Sequence, residues 1–264
     1  MANLSNIGRI FYGIAIAAIG LQSIYYHDFP YILSLPDHFW LTGHIILAYI
    51  WGIMFVLAGV SILFKIRTRQ ISLLFGSVLL LIFFFYYIPY EILTNPNYLH
   101  LEEWENAEKE LAFAGGALVI AACFAGKNEN RLSRFLEKLI PLGAIFFAIT
   151  LISFGILHFL EAKDASTLVP SWIPGHLFWI YFAGVALIGS GIAIILKIKV
   201  GLIAALLGLM IFLWFVLLHI PRVIAAPPDY ISSEVTSAFL ALAYSGIGFV
   251  IGGEGRKKAS NHST

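Results

Sequence analysis

Apolar positions in this chain fall in long unbroken runs, and polar residues are confined to the gaps between them. Val200–Leu218 holds nineteen residues without a charge, and Ile71–Ile88 holds eighteen. A helix of that length spans the ~30 Å hydrocarbon core of a bilayer. The runs do not alternate with period two, as barrel strands would, so membrane-spanning helices are the predicted elements. Eight spans are predicted, at 8–26, 41–64, 70–89, 110–126, 139–160, 175–196, 200–220 and 235–253. The first run is long for a signal-peptide core and no clear cleavage site follows it, so it is read as a retained span.

Composition agrees with that pattern. Of 264 residues, 60% are hydrophobic and 12% charged, far too apolar for a water-soluble domain. The single cysteine, Cys123, excludes an internal disulfide, a CxxC redox pair and a thiolate-held iron–sulfur cluster. Redox chemistry would therefore need a bound cofactor. A net charge of +1 without a basic cluster gives no reason to expect a nucleic-acid partner. HExxH and phosphate-loop motifs are absent, and Ser245–Gly255, though glycine-rich, reads as a helix end.

Charge sets the predicted orientation. Thirteen of the sixteen Lys and Arg residues fall on one side of the predicted spans, and twelve of the fifteen acids on the other. The positive-inside rule then puts both termini in the cytoplasm, as in a bacterial inner-membrane protein. Seven of the eight histidines lie at outward helix ends, which makes the outward face the place to look for polar chemistry. The run from His100 to Glu110 is read as a solvated acidic loop leading into the fourth span. There Asn106 is the predicted N-cap, and Glu108 and Glu110 suit the positive helix end. Glu91 is read as facing water.

The chain also repeats itself. At an offset of 132, positions 43–92 and 175–224 share sixteen identities in fifty. They include Gly43/Gly175, His44/His176, Gly52/Gly184, Gly59/Gly191, Lys65/Lys197, Gly76/Gly208 and Pro89/Pro221. A duplication is the natural reading. Each unit holds four spans, an even number, so the two units run in the same sense through the membrane. The predicted organisation is an all-α protein of two tandem parallel four-helix bundles, 1–126 and 139–255. A cytoplasmic linker (127–138) joins them and a cytoplasmic tail (256–264) follows.

Three stretches carry a resemblance: "GILHFLEAKDASTLVPSWIPGHLFWIYFAG" from Gly155, "HIPRVI" from His219, and "KELAFAGGALVIAA" from Lys109. They resemble the DoxX family of small four-helix membrane proteins, with two copies fused here. The second unit is the better match; in the first, "LSLPDHFW" replaces the Trp-Ile-Pro segment. The resemblance implies a four-helix bundle per unit and an association with quinone-linked membrane oxidoreductases.

The candidate site comes from helix-end chemistry in the second unit. His158 and Glu161 share an i, i+3 spacing, as do His219 and Arg222, and His176 opens the sixth span. All lie at one predicted depth. Together they make an outward-facing ligand pocket, with Trp172, Trp179, Trp214 and Phe178 as stacking surface. Three uses suit such a pocket: hydrogen bonding to a quinone head group; ligation of a haem iron or a divalent metal by His158, His176 or His219; or passage of a small solute or proton. The alternative is structural, with membrane lipid as the main partner. Interfacial His, Trp and Arg are ordinary depth anchors, and Glu161 with Arg222 would then be a structural ion pair. In the first unit His44 is kept but the other matching positions are Ser23, Tyr26, Tyr87 and Tyr90, so if one unit is functional it is the second.

Overall fold

A computed structural model describes residues 2–30, 44–126 and 131–261. The segment containing "LSLPDHFW", Gly43, the side chain of His44 and residues 127–130 of the linker lie outside the described residues. Among the described residues the chain is helical, without a strand. Seven helical rods are long and apolar enough to cross a membrane, so this is a multi-pass membrane protein.

The first rods are α1 (Ala2–Tyr26) and α2 (His44–Phe64). The third joins α3 (Thr68–Ile82) to α4 (Ile88–Thr94) through a π-helical turn at Phe83–Tyr87. A 3₁₀ turn, Leu101–Trp104, leads into α5 (Glu105–Ala122). This helix has four charged residues in its first six positions and is not among the seven apolar rods. The next rod joins α6 (Arg131–Leu136) to α7 (Gly143–Leu160) through a 3₁₀ segment, and the short α8 (Ala162–Thr167) follows. Then come α9 (His176–Ile195) and a rod joining α10 (Val200–Trp214) to α11 (Ile220–Ala225) through a second π-helical turn at Phe215–His219. The chain closes with α12 (Ile231–Asn261).

The two π turns have one cause. Proline lacks an N–H and its ring clashes with the carbonyl four residues back. For Pro89 that carbonyl belongs to Phe85, and for Pro221 to Leu217, each the middle residue of a π turn. Both helices widen by one residue and continue. Pro221 therefore does not interrupt its helix, and the predicted seventh span extends from 220 to 225. The third likewise extends from 89 to 94.

Other features recur between the two halves of the chain. Lys65 and Arg67 adopt positive φ in the turn between α2 and α3, and Lys197 and Lys199 do so between α9 and α10. Gly20 of α1 meets Gly52 of α2 backbone to backbone, and Gly155 of α7 meets Gly184 of α9 in the same way.

The helices pack as a ring. α1 lies between α2 and α12; α12 also packs on α10; α7 lies between α9 and α5; and α5 also packs on α3. Lighter contacts of α2 with α3 and of α9 with α10 close the circuit. Thus α5, from the first half, docks on α7 of the second, and α12, from the second, docks on α1 of the first. Each of these crossings rests on a glycine pair, Gly115 with Gly143 and Gly8 with Gly246. α5 and α12 also touch each other inside the ring. There Phe113 stacks edgewise on Tyr12 and on Tyr244, and Tyr244 on Phe147. The other rods turn residues such as Phe85, Val185 and Ile224 outward, as lipid contact requires.

Two arginines cap helix ends at one end of the ring. Arg9 donates to the carbonyls of Ile62 and Leu63 at the end of α2. Arg69 donates to those of Ala121 and Phe124 beyond α5, and pairs with Glu137. Carbonyls at and just past a helix end run short of intrahelical partners, and a guanidinium reaches two at once. Ser5 and Glu254 hydrogen-bond at 3.1 Å, which brings the start of α1 and the end of α12 to that same end.

A Cβ added at Gly20 would sit 2.5 Å from the Gly52 carbonyl oxygen, whereas one at Gly189 would meet nothing within 4 Å. Gly20→Val is expected to lower stability by about 1–3 kcal/mol through overpacking. Gly189→Ala should leave it unchanged or slightly raised, because alanine is the better helix former. Thermal unfolding of the detergent-purified variants distinguishes the two.

Candidate functional site

A cavity of about 440 Å³ opens in the second half of the chain, within the ~300–1,000 Å³ range of small-molecule sites. Its body is apolar, walled by Phe154, Ile180, Leu187, Met210, Ile211 and Leu240. Its polar groups come from the helix ends: Glu105 and Lys109 of α5, His158 of α7, Glu161 just past α7, His219 of the π turn and Arg222 of α11. Tyr244 of α12 also reaches its wall.

Five of the seven residues expected at the site therefore line one cavity: His158, Glu161, Trp179, His219 and Arg222. Trp172 and His176 do not. Trp172 sits in the turns before α9 and is 62% exposed. His176 is the first residue of α9, after Gly175 has turned the chain with φ 71°. That turn starts the helix with Trp179, one turn on, at the cavity and His176 outside it. The three histidines proposed as metal ligands are not drawn together, and among the described residues no group of three His, Cys, Asp or Glu is placed to hold a metal ion.

Local bonding fixes what each group offers. His158 Nδ1 donates to the Phe154 carbonyl at 2.7 Å, so in the neutral ring Nε2 is an acceptor. His219 Nδ1 is buried with no partner. It belongs to the π turn, a local widening that is frequent at functional sites. Trp179 donates its indole N–H to the Pro174 carbonyl at 3.1 Å and meets Trp214 edge to face, with ring centroids 5.9 Å apart. Lys109 bridges Glu105 Oε2 at 2.9 Å and Asn106 Oδ1 at 3.1 Å.

Arg222 has a different partner from the one expected. Its guanidinium makes a two-point pair with Glu234 of α12, with Nε to Oε2 at 2.8 Å and the second contact between Nη2 and Oε1. Glu161, the expected partner, is exposed at the rim. Its carboxyl is raised above the ordinary carboxylate range, first by partial burial and then by repulsion from Glu105, Glu102 and Asp164.

The matching region of the first half is filled. Trp51 stands where the second half has Ala183, and Phe55 where it has Leu187. Trp51 stacks on Phe55 at 4.5 Å, and Phe55 meets Phe75 and Phe113 edge to face. Tyr87, at the position of His219, is fully buried. Smaller side chains on a similar backbone open the cavity in the second half where the described residues of the first half fill the space.

The structure corrects three expectations for α5 and its surroundings. The helix starts at Glu105 rather than near 110, so Asn106 lies inside its first turn and is not its N-cap. Glu108 and Glu110 are buried in the ring instead of lying at an open helix end, and Glu110 is 0% exposed. Glu91 does not face water: it is 6% exposed and accepts from Asn95 Nδ2 at 2.8 Å. The burial of Glu108 and Glu110 is not legible locally, because acids at the positive end of a helix are satisfied by the helix itself in a sequence reading. For the helix start the usable signal was that "WENAEKELAFAGG" has no helix breaker before its glycines.

Two outcomes follow from this geometry. Arg222→Met leaves the Glu234 carboxylate unpaired and should cost about 3 kcal/mol, while pairing it with Glu234→Met should recover most of that; a double-mutant cycle in thermal unfolding measures both. For Glu161, a folded value raised above the unfolded one means that its stability contribution is complete below the unfolded value and is lost as pH rises through the folded one. Glu161→Gln should therefore raise the melting temperature at about pH 7 and leave it unchanged at about pH 3. No family model, no curated protein and no solved structure matches this chain.

Proposed function

We propose that this chain is a DoxX-like, eight-pass membrane protein of duplicated origin, and that the cavity of its second half takes a quinone or a similar amphiphilic ring as part of a membrane oxidoreductase system. The observation that carries the reading is the shape of the chemistry. An apolar chamber, bounded by helices in contact with lipid, bears hydrogen-bonding groups at its helix-end side. That distribution suits a molecule with an apolar body and a polar head. His219 Nδ1, buried and without a partner, and His158 Nε2, an acceptor, suit carbonyl or hydroxyl oxygens on such a head. Trp179 and Trp214 supply flat surface beside them.

The eighth pass is α5. Its eighteen residues span about 27 Å at 1.5 Å per residue, near the thickness of the hydrocarbon core. The Ser5–Glu254 contact supports an even number of crossings, because it brings both ends of the chain to one end of the ring. Both ends then lie in the cytoplasm, as the charge bias requires, and the polar end of the cavity faces outward. The π turns and the positive-φ turns, repeated at a spacing of 132 residues, and the glycine pairs, repeated at 135 in the first helix and 132 in the second, support duplication. In this reading the two four-helix units have exchanged their fourth helices.

A structural role is the second reading, and the Arg222–Glu234 pair favours it, since that guanidinium is already occupied.

Organic extraction of the detergent-purified protein is expected to yield bound quinone. Ala183→Trp, which copies Trp51 into the cavity, should abolish it, and Ala183→Leu, the milder filling, should reduce it. An extract without quinone, together with no quenching of Trp179 and Trp214 fluorescence by an added short-chain quinone, overturns the proposal in favour of the structural role. A Soret band in the purified protein would overturn it in favour of haem.

A further inference from the structure

Inside the ring, polar atoms without partners are concentrated in one place. Nine buried side-chain nitrogen or oxygen atoms lack a hydrogen-bond partner among the described residues, and five of them are Glu108 Oε2, Glu110 Oε1 and Oε2, Ser153 Oγ and Tyr244 Oη. These belong to α5, α7 and α12, which face one another. The Ser153 hydroxyl faces the Glu108 carboxyl without the geometry of a full hydrogen bond. The hydroxyls of Tyr12, from α1, and Tyr87, from the first π turn, are near enough to Glu110 to interact with it electrostatically, as is that of Tyr244. Tyr12 is already committed as a donor to the Phe113 carbonyl at 2.6 Å.

We propose that Glu110, with Glu108 beside it, is a proton-binding site inside the helix ring that exchanges with the cavity through the hydroxyl of Tyr244. An ionised carboxylate without a partner in an apolar interior is far less favourable than the neutral acid. Among the described residues no cation acts on Glu110; Lys109 does act on Glu108, but its ammonium is bonded to Glu105 and Asn106 at the cavity mouth. The remaining groups that face the pair are acidic or neutral, namely Glu105 from α5, Ser153 and Thr150 from α7, Tyr12 from α1, Tyr87 from the π turn and Tyr244 from α12. A metal ion has too few ligands there, since no group of three His, Cys, Asp or Glu is placed to hold one among the described residues. A proton needs no such set. Tyr244 is the link to the cavity because it lines the cavity wall and its buried hydroxyl, which has no hydrogen-bond partner, is near enough to Glu108 and Glu110 to interact with them electrostatically.

A packing role does not explain these residues. Gly115 and Phe113 on the same helix already make its close contacts, and a leucine would fill the volume of Glu110 without burying unmet polar atoms. The proposal rests on α5 crossing the membrane and not on what the cavity binds.

Two measurements on the full-length protein in liposomes test it. Infrared spectra at neutral pH should show the C=O stretch of a protonated carboxyl group that is lost in Glu110→Gln. An apolar carbodiimide, which reacts with protonated carboxyls, should label the α5 peptide, and the label should be lost with the same substitution. Should Glu110→Gln fail to fold, Glu110→Asp serves instead, with the band shifted rather than lost. Tyr244→Phe should keep the band but slow its shift on transfer to heavy water. A wild-type spectrum with only ionised carboxylate bands, and no labelling of the α5 peptide, overturns the site. Unchanged exchange in Tyr244→Phe overturns the route. Failure of quinone to co-purify moves neither readout, so the two proposals fail separately.

Discussion

Close backbone contact at glycine is the constraint on which the rest of this fold depends. Between helices in lipid there is no hydrophobic drive, because the acyl chains are as apolar as leucine, and association has to come from packing and a few polar contacts. Gly8 on Gly246 and Gly143 on Gly115 let α12 lie directly on α1 and α5 directly on α7. With those contacts α5 and α12 each pack across to the other half of the chain, meet inside the ring and tie the halves together. The aromatic group of Tyr12, Phe113, Phe147 and Tyr244 then fills the crossing point, each helix contributing one ring.

The cavity is a consequence of side-chain volume on that shared frame. Where the first half has Trp51 and Phe55, the second has Ala183 and Leu187. An unfilled apolar space forfeits dispersion contacts along its whole lining, and a protein selected for packing alone has an obvious remedy in its own first half. The second half instead lines the space with groups able to bond a ligand: the unpartnered nitrogen of His219 and the acceptor nitrogen of His158. The asymmetry between the halves is therefore the strongest single reason to look for a ligand in one and scaffold in the other.

Much of this was legible in the sequence. Runs of uncharged residues located the apolar rods, and the recurrence of glycine, histidine and proline at one offset located features that recur in the backbone. Helix-end chemistry brought five of the seven expected side chains to one cavity. What was not legible depended on facts that local pattern does not carry. Arg222 chose Glu234 over Glu161 because α12 packs beside α10 and α11, a tertiary adjacency that no spacing encodes. His176 and Trp172 were lost to helix phase, since Gly175 sets which face of α9 turns inward. Glu108 and Glu110 are expected at an open helix end because helix-end electrostatics accounts for them, whereas tertiary packing buries them. The 3₁₀ turn at Leu101–Trp104 in fact starts the helix about one turn earlier than the charge pattern suggested.

That one turn of α5 is where the separate arguments meet. Consecutive residues on an α-helix point about 100° apart, so Glu108, Lys109 and Glu110 cannot share a face. Glu108 turns toward Ser153 of α7, Lys109 toward the cavity mouth, and Glu110 toward Tyr12 and Tyr87 of the first half. A helix that had stayed within its own four-helix unit would have no reason to touch all three environments. Because α5 has crossed to α7, a single turn of it faces the second half's cavity on one side and the first half's core on another. The packing of α5 on α7 thus does more than join the two halves of the chain. It sets a short polar segment between the site that can take a ligand and the interior that holds unpaired carboxyl groups.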